Sequence, residues 1–173
     1  EHPSQHIIDM SENEIEVPED YTREELRQDL LCYTSPVLKE NLVLTGDMTA
    51  ELYISSDAPD TDFVVRVTDV DENGRSIKLA DGLLSARYRN GFARSEFLQE
   101  GEIVCLKIRT TKLSNCFRKG HRIRVTVTSS AKNFIFPNSN TREGFASART
   151  VVAHNRVYHG GLHASRLTVR VEP

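Results

Sequence analysis

The stretch KGHRIRVTVTSS, residues 119–130, decides the fold. A Lys-Gly turn opens onto a run with strict alternation. Ile123, Val125 and Val127 fall on one side, and Arg122, Arg124, Thr126 and Thr128 on the other. A period of two, rich in β-branched residues, marks a strand with one face buried and one face wet. The pattern predicts Ile123, Val125 and Val127 in a core, with Arg122 and Arg124 at the surface.

The same period recurs on both sides of this stretch. Ala50, Leu52 and Ile54 alternate with Glu51, Tyr53 and Ser55. Residues 63–70 are Val-rich and stop at Asn73-Gly74, a strong hairpin signal because both residues tolerate positive φ. Residues 76–79 begin the return strand, Asp81-Gly82 is expected to interrupt it, and 83–89 follow. Val104, Leu106 and Ile108 alternate with Cys105, Lys107 and Arg109. Short strands are also expected over 30–34, 42–44 and 150–153, and at Leu167, Val169 and Val171. Thr22 with Glu25 has the spacing of a capping box, which predicts a short helix near 23–29. About nine short strands with frequent turns and almost no helix imply an all-β, two-sheet antiparallel sandwich.

A chain of 173 residues is the size of one domain and can bury a substantial core. A hydrophobic share of 38% with 27% charged residues is that of a folded globular chain. No apolar run approaches the length that crosses a membrane, and no apolar signal region opens the chain. Glu1 in place of an initiating Met is expected of a piece of a longer chain. Residues 9–29 carry a local charge of −7, against −3 for the whole chain, so the rest is +4. An acidic lead over 1–29 followed by a mildly basic body over 30–173 does not point to nucleic acid. Cys32, Cys105 and Cys116 form an odd, widely spaced set. That fits a reducing, cytoplasmic setting better than a disulfide framework, with Cys105 read as a small buried hydrophobe.

Several groups could carry chemistry. Residues 69–74, DVDENG, match the first half of an EF-hand loop, but Ala80 stands where the bidentate Glu is needed. Asp57, Asp60 and Asp62 could gather Ca²⁺, or could cap backbone N–H groups in an Asp-Pro turn, which is the preferred reading. His154, His159 and His163 carry nitrogens suited to Zn²⁺ or Ni²⁺, in a loop that does not by itself fix three rings together. His121 is expected to fix its turn by a hydrogen bond. Arg87, Arg89, Arg118, Lys119, Arg122 and Arg124 read as an outward basic face, solvated or interdomain. No G-x-S-x-G elbow occurs, so no catalytic residue is assigned; nor is any cofactor or metal ligand.

Six pieces in order carry a family resemblance: LLCYTSPVL (30–38), VLTGDMTAELYISSDAPDTDFVVRVTDVDENGRS (43–76), DGLLSARYR (81–89), KGHRIRVTVTSS (119–130), FPNSNT (136–141) and NRVYHGGLHASRLTVRV (155–171). Together they resemble the C-terminal β-sandwich of the X-Pro dipeptidyl-peptidase, cocaine esterase and α-amino-acid ester hydrolase group of serine hydrolases. The resemblance implies a jelly roll of the galactose-binding type. It also implies a non-catalytic role, packing on an α/β-hydrolase domain of the same parent chain and helping shape its active-site surroundings. A homo-oligomer is left open. In AKNFIFPNSNT (131–141), the apolar Phe134, Ile135 and Phe136 read equally as a contact with that domain or as core. Two other classes stand beside this reading: a ligand-binding sandwich for carbohydrate or Ca²⁺, and a free-standing enzyme built on His and Asp. The absence of Trp weakens carbohydrate binding, which commonly uses aromatic platforms.

Overall fold

A computed structural model describes residues 19–131 and 135–171. Most of the acidic lead expected over 1–29 therefore lies outside the described residues, as do Lys132, Asn133 and Phe134. The described chain is all-β, with twelve strands and three 3-10 turns among these residues. The strands are β1 (Leu31–Thr34), β2 (Leu42–Gly46), β3 (Thr49–Ser55), β4 (Asp62–Val70), β5 (Ser76–Ser85) and β6 (Val104–Arg109). They continue with β7 (Leu113–Phe117), β8 (Arg122–Thr128), β9 (Arg156–Val157), β10 (His159–Gly160), β11 (His163–Ala164) and β12 (Arg166–Thr168).

Two four-stranded antiparallel sheets form the sandwich. The first has the order β1-β8-β4-β5, and the second places β3 between β6 on one side and β12 with β9 on the other. Two-stranded pairs β2-β7 and β10-β11 complete the structure. The core lies between the sheets, where alternation directs it. Ala50, Leu52 and Ile54 of β3 and Leu106 and Ile108 of β6 meet Phe63 and Val65 of β4 and Val127 of β8. A second cluster of Met48, Val67 and Ala80 extends this layer, with Ile123 and Val125 packed against it.

The deciding strand is where expected, but its faces are less distinct. Val127 is buried, whereas Ile123 and Val125 are only half-buried. On the other face Thr126 is buried and Arg124 is largely covered. The outer face is covered by the segment 19–26, which pairs along the β5 edge at Asp20 and then crosses the outer face of the first sheet. Tyr21 N–H donates to Ser76 O, and Lys78 N–H donates to Glu19 O. The Tyr21 ring covers the Arg66 guanidinium at 3.7 Å. The buried Glu25 carboxylate accepts from Ser76 Oγ at 2.8 Å, Thr68 Oγ1 at 3.2 Å and Arg124 at 2.6 Å.

Glu25 therefore does not close a capping box with Thr22. The helix shrinks to a 3-10 turn over Glu24–Leu26 with no side-chain cap. Ahead of that turn Asp20 closes a local Asx turn, accepting from Thr22 N–H at 3.0 Å and Thr22 Oγ1 at 2.5 Å. These bonds from Thr22, with one from Arg75, hold the Asp20 carboxyl down at about 2.

Other sequence expectations are corrected by packing. Asp81-Gly82 does not interrupt the return strand, since β5 runs unbroken and the irregularity is a bulge opposite Val67/Thr68. Gly82 is required by a close approach: a Cβ there would sit 2.7 Å from the Arg109 carbonyl oxygen. Residues 150–153 form no strand; Val151 N–H instead bonds Ser139 O in a loop. β7 was not anticipated, because Asn115 interrupts the apolar series Leu113, Phe117. Cys105 is half-buried on the outer face opposite Tyr53 rather than in the core, and burial pushes its thiol up.

The β4-β5 turn is a three-residue loop. Gly74 N–H donates to Asp71 O, Asp71 N–H to Arg75 O, and Asp71 Oδ1 accepts from Asn73 and Arg75 N–H. Only Gly74 has positive φ, at +84°, so this is a turn closed by a glycine bulge rather than a two-residue Asn-Gly turn. Space around Gly74 is open. Gly74→Val is therefore expected to cost about 1–2 kcal/mol, through backbone strain alone. Urea unfolding checks this, and a loss below a few tenths of a kcal/mol would show that the turn relaxes.

Candidate interdomain surface

The loop over 56–61 is the hub of one end of the sandwich. Asp60 is fully buried, and Arg87, from the 3-10 turn Ala86–Tyr88, is nearly so. Arg87 backbone N–H donates to Asp60 Oδ1 at 2.9 Å and its Nε to Oδ2 at 2.7 Å. Asn138 Nδ2 spans Asp60 Oδ2 at 2.7 Å and Asp62 Oδ1 at 2.8 Å. The far side of the Arg87 guanidinium donates to the carbonyls of Thr141 at 2.8 Å and Arg142 at 3.0 Å. Phe97 lies beneath the Arg87 and Arg142 guanidinium groups. A buried, multiply bonded ion pair of this kind holds separate loops in a single arrangement.

Further bonds extend the hub. Leu98 N–H donates to Pro59 O, Gly101 N–H to Ser56 O and Ala86 N–H to Thr61 O. Asp57 accepts from His154 N–H at 2.8 Å and pairs with His154 Nδ1 at 2.6 Å. His154, first through its backbone N–H and then through its ring, holds the Asp57 carboxyl below the usual range. Ser139 Oγ donates to Gly144 O, and Asn140, at φ +60°, donates its side-chain amide to Val151 O.

The loops so tied expose large apolar side chains. Phe136 is 85% exposed, Phe145 84% and Phe92 79%, with Val152 at 76%. Phe145 follows Gly144, whose Cα faces the Arg87 guanidinium, and Phe92 stacks on Tyr88 at 5.4 Å. Polar side chains thus fix the loops while apolar ones face water. Large side chains this exposed make these loops a candidate contact surface.

The candidate residues of the sequence sort as follows. Asp57, Asp60 and Asp62 accept from His154, Arg87 and Asn138, residues distant in sequence, rather than from the N–H groups of their own turn, and Asp62 begins β4. Asp71 closes the hairpin, and Asp69 pairs with His121 Nδ1 at 2.9 Å, so His121 ties its turn to β4. His159 meets Tyr33, and His163 stacks near Tyr53 and Tyr158. The basic face is not one surface. Arg87 is inside the hub, Arg89 donates to Ala86 and Glu96 carbonyls, and Arg124 serves Glu25 and Thr34. Arg118 and Lys119 are exposed. Sequence reasoning missed Phe92, Phe145 and Val152; the signal available was apolar residues set among Gly, Ser and Arg.

The chain is similar to a set of known proteins over most of its length. The family model for the X-Pro dipeptidyl-peptidase C-terminal non-catalytic domain matches residues 7–168. Cocaine esterase of Rhodococcus sp. is 37% identical over 150 residues, 84% of this chain and 26% of that protein. The crystal structure of an aminopeptidase from a marine sediment Thaumarchaeota archaeon superposes with a TM-score of 0.86 at 25% identity, covering 90% of this chain and 28% of that one. An α-amino acid ester hydrolase shares the fold with a TM-score of 0.80 at 24% identity, over 84% of this chain and 26% of that one. The chain thus spans about a quarter of the length of these relatives. With the antiparallel sandwich in place and the match running over nearly its whole length, the chain belongs to the X-Pro dipeptidyl-peptidase C-terminal non-catalytic domain family.

Proposed function

We propose that this sandwich packs on the α/β-hydrolase domain of the same longer chain, using the loops tied by Asp60 and Arg87, and helps shape the surroundings of its active site. The parent is then a serine hydrolase that cleaves acyl esters or X-Pro dipeptides. The observation that carries this reading is the exposure of Phe136, Phe145 and Phe92 on loops held by a buried ion pair. Phenylalanine buries about 150–250 Å² when covered, so three of them supply a large part of an interdomain surface of about 600–1,500 Å². The quarter-length coverage of the relatives supports a neighbour in the same chain. Among the described residues, neither His121 nor His154 bonds a Ser, Thr or Cys hydroxyl or thiol through its second ring nitrogen. In this reading the neighbour supplies the triad geometry.

Two outcomes are expected. The isolated chain shows no turnover of an aryl ester or an X-Pro anilide above a no-protein control. In the longer protein, Phe136→Ser with Phe145→Ser lowers the melting temperature of the hydrolase domain by several degrees, while the same pair leaves the isolated sandwich within about 0.5 kcal/mol of the parent, as exposed positions do. Serine-inhibitor-sensitive hydrolysis by the isolated chain would contradict the first expectation. An unchanged hydrolase domain would contradict the second.

A further inference from the structure

At its β1 edge the sandwich opens. Leu31 and Tyr33 pair with Val127 and Val125 of β8, so they share the inward face of the first sheet. Yet they are 42% and 37% exposed, because the second sheet does not extend beneath them. The half-buried Val125 has the same cause. Between Tyr33, Val125 and Val127 on one side and Ala50, Leu52, Val157 and Leu167 on the other lies a cavity of about 260 Å³. Its walls are mostly aliphatic, with Ser165 and Arg166 also on the lining. At its rim Tyr33 Oη and His159 Nε2 lie 2.9 Å apart, joining β1 to the β10-β11 hairpin. Their rings meet edge-on at 5.1 Å.

The size of the opening restricts what can enter. A helix is about 10–12 Å across, and a strand needs a hydrogen-bonding neighbour about 4.8 Å away. Neither fits inside a volume of about 260 Å³, and a strand added to the free edge of β1 would lie beside this volume rather than in it. Ligand sites begin near about 300 Å³ and combine apolar walls with a few converging polar groups. This cavity sits at that lower limit and has the same make-up. We propose that it binds a small, mostly apolar organic molecule, a single ring or short branched chain, whose one hydroxyl meets the Tyr33-His159 pair. A hydroxyl can accept from Tyr33 Oη–H and donate to His159 Nε2, replacing the bond those two make with each other. The site is separate from the Asp60–Arg87 hub and does not depend on the interdomain reading.

The test is a titration of the 173-residue chain, ¹³C-labelled at Leu and Val methyls, with 4-methylphenol and, separately, toluene. Saturable shifts are expected in the methyls of Leu52, Val125, Val127, Val157 and Leu167 with both probes. Tyr33→Phe, at a partly exposed edge position that keeps the fold, is expected to weaken 4-methylphenol about fivefold and leave toluene unchanged. Three results would overturn the proposal. One is the absence of saturation up to the solubility limit of either probe. A second is equal weakening of both probes by Tyr33→Phe. The third is that the same methyls in the longer protein do not respond to 4-methylphenol, which would assign the cavity to a side chain of the neighbouring domain.

Discussion

Asp60→Ala is expected to destabilise the domain by about 3–5 kcal/mol, because it leaves the Arg87 guanidinium buried without its carboxylate. Arg87 has little access to water, with 11% of its side chain exposed, and Asp60 has none. Removing Asp60 also strips the acceptor from Arg87 backbone N–H and from one side of Asn138. The loss falls on several loops at once, since the same arginine holds the carbonyls of Thr141 and Arg142. For a domain of this size, about 3–5 kcal/mol corresponds to a fall in melting temperature of roughly 6–20 °C. The comparison variant is Asp47→Ala. Asp47 pairs with an Arg109 side chain that is 68% exposed, so solvent screens the pair and its loss is expected to move the unfolding midpoint little. If the two variants unfolded at the same urea concentration, the Asp60–Arg87 pair would not be what fastens these loops.

Phe63→Ala should cost about as much by a different route. Phe63 is 1% exposed on β4, which is paired on both sides, by β5 and by β8. Its ring sits in the main cluster between the sheets with Ile54, Leu106 and Val127. Truncation removes the transfer free energy of the ring and leaves a cavity that two hydrogen-bonded sheets cannot close. The expected loss is about 3–5 kcal/mol, read from urea unfolding with an unchanged slope. A loss below about 1 kcal/mol would mean that the sheets move together to fill the space, and that the core is looser than its burial indicates.

The parts of this structure that were legible in the sequence are those set by a local period. Ala50, Leu52 and Ile54, Leu106 and Ile108, and Val127 point inward because side chains alternate along a strand, and each one-residue step is visible in the chain. What was not legible depends on partners distant in sequence. Glu25 has capping-box spacing from Thr22, but its partners are Ser76 and Arg124, and only the folded chain brings them near. That same covering explains why Thr126 is buried although it lies on the expected wet face. Arg87 looked like an outward residue of a basic strand, whereas its 3-10 turn delivers it to Asp60. The turn-forming role of the 55–62 stretch was legible, because Ser, Asp and Pro have few other uses at that density. Its union with the 136–141 loop through Asn138 was not. Nor does an apolar residue announce which side of the surface it occupies: Phe136 and Phe117 are equally apolar, yet one is 85% exposed and the other 0%.

The central claim is that the hub loops are an interdomain surface, and hydrogen exchange tests it most directly. Backbone amides in 86–97 and 138–152 would be followed in the isolated chain and in the longer protein that carries the hydrolase domain. The account predicts slower exchange of both loops in the longer protein, with the β3, β4 and β6 amides unchanged because the core is complete in either context. Equal protection of the two loops in the two contexts would contradict it, and would place the contact with the hydrolase domain on another face of the sandwich.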